Sequence, residues 1–471
     1  MRRKNILLII SHDLGQHIGP YGVETVHTPA LDRMAAEGVL FEKNFCTSPS
    51  CSPSRASIFS GRFPHSNGVM GLTHGNFMWQ MKDVHLAQRL ADQGYDTCVV
   101  GNWHENDRID NVGYQTTVVD QVGALSLSDD VQQNEAQPTA QQVAERVGFY
   151  LEQQKDSEHP FFLYAGFFEP HRPYDFKGCT PDAEKGVWIP PYIPQDTPEQ
   201  RAAAEEEFAA MQGCIRRMDD AVGQILQSLE KAGLKEDTLV LFTADHGIAM
   251  PRAKCTLYDP GLETPLILWG AGLPKGKRHD CMISNVDYLS TLMEWVGFPI
   301  PGNVQGRSFL SLLNCRAGMA ESLPAAAGRS ATIPALQTDY EPRTEIFGEK
   351  NYHREYDPIR CVRTERYKFI INFEVNIAYN VPSDIQKGAI YRTAMERYTP
   401  MRPVFELYDL ENDPWEQNNL ADDAELATVR ADLQMRLLQW MKETDDPLLK
   451  GPIPSRFTTE LLKTLAGGCN E

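Results

Sequence analysis

The sequence lacks the features that mark membrane-spanning, thiol-redox and zinc-ribbon proteins. Its ten cysteines are scattered and include no Cys-x-x-Cys pair, which favours reduced thiols in a cytosolic protein. No apolar stretch approaches the roughly 20 residues that a bilayer span requires. The opening run MRRKNILLIISHD has the charged start of a signal peptide, but its apolar part covers only residues 6–10 and no cleavage site follows. These absences predict a cytoplasmic protein without a membrane segment.

Positive charge is also scarce. The 471 residues include 45 Lys and Arg against 64 Asp and Glu, so the net charge is -19. Such a chain repels polyanions at long range, which argues against a nucleic-acid partner. An anionic substrate would therefore need a local basic pocket. The hydrophobic content of 42% is typical of a globular protein, and no feature of the composition fixes the oligomeric state.

Short β-branched or aromatic runs alternate with amphipathic segments over the first two thirds of the chain. This alternation predicts an α/β fold, with a large doubly wound, mainly parallel sheet that carries helices on both faces. The predicted strands lie near 5–11, 96–101, 160–167, 238–244 and 264–269. The predicted helices lie near 29–37, 53–60, 85–93, 139–154, 198–232 and 285–296.

A second, smaller domain is predicted after a change in composition. Residues 315–344 are rich in Ala, Ser and Pro, as expected of a connector. The residues beyond it predict an α+β domain with an antiparallel sheet, including a hairpin turn at 364–366. Its strands are predicted near 345–349, 359–363, 367–373 and 405–410, and its helix near 423–443. We therefore predict a catalytic domain over 1–335 and a C-terminal domain over 336–471 that contributes to the substrate cleft.

Polar side chains follow several predicted strands at their carboxyl ends, where open α/β sheets bind ligands. These residues are His12, Asp13, His104, His171, Asp245 and His246. Because Asp and His are ligands for divalent cations, the two Asp–His pairs predict a metal site. The alternative is that each aspartate only caps a turn. Capping explains a carboxylate but not the histidine beside it in both pairs.

The segment Cys51-Ser52-Pro53-Ser54-Arg55 lies where a loop enters a predicted helix, and Ala56 and Gly61-Arg62 follow it. This pattern resembles the signature of the type I sulfatases of the alkaline-phosphatase-like superfamily, in which the cysteine is oxidised to formylglycine. The alternative is that Cys51 is an inert buried thiol.

Other segments extend the resemblance over most of the chain, in the family's order. They are NILLIISHDLG, PFFLYAGFFEPHRPY, LVLFTADHG with the downstream Lys254, YDPGLETPLIL and FELYDLENDPWEQNNL. Within the family, CSPSRASIFSGRFPHSNGVMGL and EKNYHREYDPIR are more similar to the heparan N-sulfatase (sulfamidase) branch than to simple arylsulfatases.

The resemblance implies a role for each residue of the site. The metal ligands would be His12, Asp13, the formylglycine made from Cys51, Asp245 and His246. One hydroxyl of the formylglycine hydrate would attack sulfur, and the second would expel sulfate and restore the aldehyde. Arg55 would hold the diol and the metal-site carboxylates, and His104 would orient or deprotonate the diol. His171 would bind sulfate or protonate the leaving group, while Lys254 would bind a sulfate oxygen.

Two positions depart from the family pattern. His12 replaces the first aspartate of a common Asp-Asp pair, so the expected Ca²⁺ site also leaves Mn²⁺, Mg²⁺ or Zn²⁺ open. Asn102 stands where a lysine is common, and Arg62, Arg172 or Arg360 are candidates to supply the missing charge. The candidate substrate-binding residues are His74, Asn76, Asn102, Arg172, His353 and Arg360.

The function that this resemblance implies is hydrolysis of sulfate esters or sulfamates of sulfated carbohydrates, with N-sulfoglucosamine of heparin or heparan fragments as a specific candidate. The implied partners are a sulfated small molecule or oligosaccharide and a formylglycine-generating maturation enzyme. One alternative is a phosphonate or phosphate ester hydrolase of the same superfamily. Another is a non-catalytic protein that binds sulfated glycans, since His12 and Asn102 replace expected groups.

Overall fold

A computed structural model describes the chain over residues 4–75, 77, 79, 85–105, 112–118, 137–313, 340–353, 355–374, 380–455, 458–459 and 461–462. Its large sheet has strands β1 Asn5–Ser11, β2 Val39–Phe45, β3 Asp96–Gly101, β4 Thr116–Val118, β5 Phe161–Gly166, β6 Thr238–Ala244, β7 Leu266–Gly270 and β8 Lys277–Ser284. Their order across the sheet is β4-β3-β5-β1-β6-β7-β2-β8. Strand β7 runs antiparallel to both of its neighbours, whereas the other neighbouring pairs are parallel.

Helices cover both faces of this sheet because its central strands are apolar on both sides. In β1, Leu7 and Ile9 face one buried cluster, while Ile6, Leu8 and Ile10 face the other. The helices that precede the second sheet are α1 Pro29–Glu37, α2 Cys51–Ser60, α3 Pro64–Asn67, α4 Leu86–Ala91, α5 Ala140–Gln154, α6 Pro198–Lys231, α7 Asp259–Leu262 and α8 Tyr288–Val296.

A second sheet forms from the C-terminal part of the chain. Its strands are β9 Glu345–Tyr352, β10 Tyr356–Thr364, β11 Tyr367–Asn372 and β12 Phe405–Asp409, antiparallel in the order β12-β11-β10-β9. The accompanying helices are α9 Ser383–Gln386, α10 Ala389–Thr393 and α11 Ala427–Glu443. Leu433, Leu437 and Trp440 of α11 pack on one face of this sheet.

This architecture confirms the predicted fold class. The sequence did not predict β2, β4 and β8, and α2 begins two residues earlier than predicted, at Cys51. The predicted connector at 315–344 lies mostly outside the described residues, so the domain boundary after 335 stays a prediction. Among the helices that the structure describes, none combines the length and apolar character needed to cross a membrane.

Candidate active site

The register of two parallel neighbours, β1 and β6, brings the two predicted metal-binding pairs together. Ser11 lies opposite Ala244 at the carboxyl ends of these strands. The next residues along each strand are His12-Asp13 and Asp245-His246, so the four side chains meet at one edge of the sheet. The backbone N–H of Asp13 donates to Asp245 Oδ1 at 3.0 Å.

Cys51 joins this edge from the loop after β2. It is the first residue of α2 and is 3% exposed. Its Sγ lies 3.3 Å from His246 Nε2. A group at this position lies at the positive end of the helix dipole, among backbone N–H groups that have no partner within the helix, which favours an anion.

Five residues in this cluster offer ligand atoms that all lie within 4.8 Å of one another. They are His12, Asp13, Cys51, Asp245 and His246, and all are buried. His246 Nδ1 lies 2.9 Å from the carbonyl oxygen of Gly247, which can only accept, so Nδ1 carries the hydrogen. Nε2 therefore faces Cys51 at 3.3 Å and Asp13 Oδ1 at 3.1 Å, and the carbonyl fixes the ring orientation, as such partners do for metal-binding histidines.

The charges of the cluster also fit a divalent cation. Burial opposes ionisation of Asp13, but Lys254 and His12 outweigh it and hold the pKa of Asp13 well below its usual range. Burial also raises the pKa of Asp245, yet His12 and His246 bring it to about 2. For His12, burial lowers the pKa to about 4 in spite of Asp245 and Asp13, so its imidazole is neutral at pH 7. Two carboxylates and a neutral imidazole in a buried cluster are suitable ligands for a metal ion.

Arg55 is buried at the base of this cluster. Its Nε donates to Asp245 Oδ2 at 3.1 Å, and its Nη1 hydrogen-bonds the hydroxyl of Tyr164. The hydroxyl of Tyr164 donates in turn to the Asn102 carbonyl at 2.7 Å. Tyr164 was not among the predicted site residues, although a tyrosine inside the otherwise apolar run PFFLYAG was a signal for a buried hydrogen bond.

Lys254 lies on the side of the cluster that faces the C-terminal part of the chain. Its Nζ lies 2.8 Å from Asp13 Oδ2, 3.4 Å from His171 Nε2 and 3.1 Å from Asp384 Oδ2. Asp384 belongs to α9 and was not predicted, because no motif or strand end precedes it in the sequence. His171 Nδ1 lies 2.6 Å from its neighbour's carbonyl oxygen, which can only accept, so Nδ1 carries a hydrogen and Nε2 faces Lys254.

Asn102 and His104 approach the cluster from the end of β3. The ring centroid of His104 lies 6.0 Å from that of His12. A Cβ at Gly166 would lie 1.8 Å from the Asn102 carbonyl oxygen, so only glycine lets the ends of β3 and β5 approach this closely. The Asn102 side chain is 6% exposed, and its Nδ2 has no hydrogen-bond partner within the described part of the chain.

The structure does not bring every predicted substrate-binding residue to the cluster. Arg360 is fully buried in the C-terminal part, where its guanidinium donates to both Asp446 oxygens at 2.6 and 3.0 Å and to Asn351 Oδ1 at 2.8 Å. Arg172 pairs with Glu207 of α6. These contacts favour a role for both arginines in joining elements of the fold.

The other predicted substrate-binding residues are His353, His74 and Asn76. His353 is buried close enough to Asp384 to contribute to lowering the pKa of that carboxyl. His74 belongs to a short turn, Thr73–Gly75, but its side chain lies outside the described residues, as does all of Asn76.

Burial makes the unmodified Cys51 thiol a poor nucleophile. Desolvation raises its pKa well above the usual value, and the opposing effect of Lys254 does not offset it. Because the thiolate is the reactive form, this environment disfavours reaction of Cys51 as an unmodified thiol.

Comparison with known proteins gives consistent matches over this site and beyond it. A family model described as Sulfatase matches residues 4–298. Human N-sulphoglucosamine sulphohydrolase is 30% identical over 497 residues, a match that covers 96% of this chain and 92% of the human protein.

Solved structures share the fold. The protein yidJ of Bacteroides fragilis, whose sulfatase assignment is provisional, superposes with a TM-score of 0.73 at 21% identity and covers 96% of this chain and 98% of its own. A protein solved in complex with its substrate D-glucosamine-2-N,6-O-disulfate has a TM-score of 0.69 at 18% identity, with 96% and 99% covered.

Proposed function

This chain belongs to the sulfatase family, and we propose that it hydrolyses sulfated glycans at the cluster around Cys51. The observation that carries this proposal is the convergence of five potential metal ligands, within 4.8 Å of one another, on a cysteine at a helix N-terminus. The enzyme class is sulfuric ester hydrolase.

The donor set supports a divalent metal held by His12, Asp13, Asp245, His246 and the modified residue 51. When bound, the metal would polarise an oxygen and neutralise charge on the sulfuryl group. We propose Ca²⁺ as the first candidate, because two carboxylates are present, while the imidazoles leave Mn²⁺, Mg²⁺ and Zn²⁺ as alternatives. Formylglycine at position 51 would supply, as its hydrate, one hydroxyl to attack sulfur and another to expel sulfate.

The cationic groups around the cluster bind and orient the sulfuryl group. Arg55 is fixed between Asp245 and Tyr164, so its charge stays close to residue 51. Lys254 extends its ammonium group between Asp13 and His171, where it can pair with a sulfate oxygen. The Asn102 amide can donate to another oxygen, which would take the place of the lysine that is common in the family.

Two histidines are placed for proton transfer. His171 Nε2 points toward Lys254, on the more exposed side of the cluster, where it can give a proton to the leaving oxygen or nitrogen. His104 lies beside His12, which supports its proposed role with the diol.

We further propose that the substrate is a sulfated glucosamine, with the N-sulfo group as the reacting one. The human relative is named for N-sulphoglucosamine, and one protein of the same fold binds a glucosamine disulfate. The C-terminal part would complete the cleft, since α9 places Asp384 against Lys254.

The test is turnover by protein in which mass spectrometry has verified the aldehyde at position 51. The panel is N-sulfoglucosamine, glucosamine-6-sulfate, an aryl sulfate and a phosphonate monoester. We expect sulfate release from the sulfated sugars and slower turnover of the phosphonate. Preferred turnover of the phosphonate would contradict the proposal, and saccharide binding without any turnover would favour the non-catalytic alternative.

A further inference from the structure

Within the described part of the chain, the more exposed side of the cluster carries a carboxylate. His171 and Asp384 are 25% and 14% exposed in their side chains, whereas Cys51 and Lys254 are only 3% exposed and Asp13 is fully buried. These exposures favour a substrate whose sulfuryl group reaches residue 51 while the rest of the molecule lies on the side of His171 and Asp384. The atom that departs from sulfur comes to lie beside these two residues.

A carboxylate is an unexpected group at the mouth of an anion site. It repels a sulfuryl oxygen, and the bridging oxygen of a sulfate ester has no hydrogen to offer it. A sulfamate differs, because its bridging nitrogen carries an N–H that a carboxylate can accept. When the S–N bond breaks, the bonding pair goes to nitrogen, which takes a proton from His171 Nε2 and becomes an amine.

The amine product adds a further attraction. A free amine of this kind takes up another proton from water and becomes an ammonium, whereas the oxygen released from a sulfate ester becomes a neutral hydroxyl. Asp384 can pair with that ammonium as it now pairs with the ammonium of Lys254, at 3.1 Å. This contact joins helix α9 to the part of the chain that forms the large sheet. The carboxylate therefore keeps a fixed position against the cluster.

We propose that Asp384 is a specificity-determining residue. It selects sulfamates, in which the leaving atom is nitrogen, over sulfate esters, in which the leaving atom is oxygen. This inference rests on the proposed sulfatase function and deepens it, since it names the residue that recognises the amine.

The experiment compares the wild-type enzyme with D384N, in which the charge is lost and the shape is kept. Both samples carry verified aldehyde at position 51, and E396Q serves as a control that removes one exposed negative charge from the same part of the chain. We expect D384N to lower kcat/KM for N-sulfoglucosamine by about tenfold to a hundredfold, as for loss of a charged hydrogen bond. Turnover of N-acetylglucosamine-6-sulfate, which has no free amine, and of an aryl sulfate should fall at least about fivefold less than turnover of N-sulfoglucosamine, because neither presents a departing nitrogen to residue 384.

Product inhibition separates recognition from a purely structural role. In D384N, inhibition by glucosamine should weaken about tenfold, whereas inhibition by inorganic sulfate should strengthen because a nearby negative charge has gone. If Asp384 only holds Lys254 in place, both inhibitors weaken together and all three substrates slow equally, which would overturn the inference.

A wild-type enzyme that turns over the O-sulfates but not the N-sulfate would also overturn it while leaving the sulfatase function intact. Absence of turnover of every sulfated compound would reject both.

Discussion

Asn102 carries a buried amide that has no partner of its own in the described part of the chain. Leaving such a donor unsatisfied is unfavourable, so its position is best explained by a ligand that it meets during function. We predict that Asn102→Ala lowers kcat/KM for a sulfated sugar about tenfold, mainly through a higher KM. The backbone carbonyl that accepts from Tyr164 is kept in this variant. Steady-state kinetics and a thermal melt check the prediction.

The melt distinguishes this role from a structural one. Because the amide makes no hydrogen bond in the described structure, its removal should leave Tm unchanged or slightly higher. A lower Tm together with unchanged kinetics would show that Asn102 supports the fold instead of the substrate.

Position 51 gives a second prediction at this scale. Cys51→Ala removes the only atom there that can be oxidised, so turnover should fall by at least about a thousandfold. Cys281→Ala, at a half-buried cysteine of β8, should leave kcat within about twofold. Kinetics with mass spectrometry of the peptide that contains residue 51 provide the measurement. Substantial turnover by Cys51→Ala would exclude this residue as the source of the nucleophile.

The site residues differ in how far the sequence could predict them. Asp13 and Asp245 follow apolar strands directly, and Cys51 lies in a motif, so each carries a local signal. Asp384 carries none, because its place beside Lys254 depends on how the C-terminal part packs against the sheet. Arg360 shows the opposite case: a motif-like context suggested substrate binding, but the structure encloses its guanidinium among Asp446, Asn351 and backbone carbonyls.

At the scale of elements, strand prediction succeeded where both faces of a strand are buried. The strands β1 and β6 are apolar throughout, and their predicted bounds are confirmed. Strand β2 (VLFEKNF) has Glu42 and Lys43 in its centre, and β8 (KRHDCMIS) is exposed over its first half at the edge of the sheet. These polar residues interrupt the apolar run from which a strand is predicted. The two segments therefore form strands because of their tertiary packing, which the local sequence does not indicate.

The second sheet contains a buried ion triad that links its elements. Asp357 of β10 pairs with Lys350 of β9 at 2.6 Å and with Arg402, which precedes β12. Asp357→Asn should lower the free energy of unfolding by about 3 kcal/mol at pH 7, since two buried cations lose their counter-charge. The exposed pair of Glu345 and Arg436 offers a control, because Glu345→Gln should cost less than about 1 kcal/mol.

The effect of Asp357→Asn should depend on pH with a defined sign. Burial raises the pKa of Asp357, but Lys350 and Arg402 outweigh it and leave the pKa below its usual value. The unfolded state therefore binds a proton first as the pH falls, and the stabilisation present above about pH 4 is lost below it. Urea unfolding at pH 7 and pH 3.5 should show a smaller difference between variant and wild type at the lower pH. An equal difference at both values would contradict this account.

On the scale of the whole molecule, the two sheets share one hydrophobic cluster. The part of the chain that forms the large sheet contributes Phe45, Leu257 and Leu262 to this cluster, and the second sheet contributes Ile359 and Cys361. Buried charges cross the same contact, since Lys368 of β11 pairs with Asp259, the first residue of α7. Unfolding of either sheet would therefore expose the apolar side chains that the other contributes to this cluster.

We expect a single cooperative unfolding transition for this reason. Differential scanning calorimetry should show one peak whose van't Hoff and calorimetric enthalpies agree. Two resolved peaks would show instead that the predicted domains, residues 1–335 and 336–471, unfold as independent units.

The candidate metal site spans both central strands and α2, so a bound metal ion should stabilise this whole unit. A ligand that binds only the folded state adds about 3 kcal/mol of stability at a concentration a hundred times its Kd. For a chain of 471 residues this corresponds to a rise in Tm of about 3 °C. Melts of chelator-treated protein with Ca²⁺, Mn²⁺, Mg²⁺ or Zn²⁺ added separately should show the largest shift for the resident ion. Asp245→Asn should abolish the shift because it removes a ligand charge, whereas a shift retained in this variant would place the ion elsewhere.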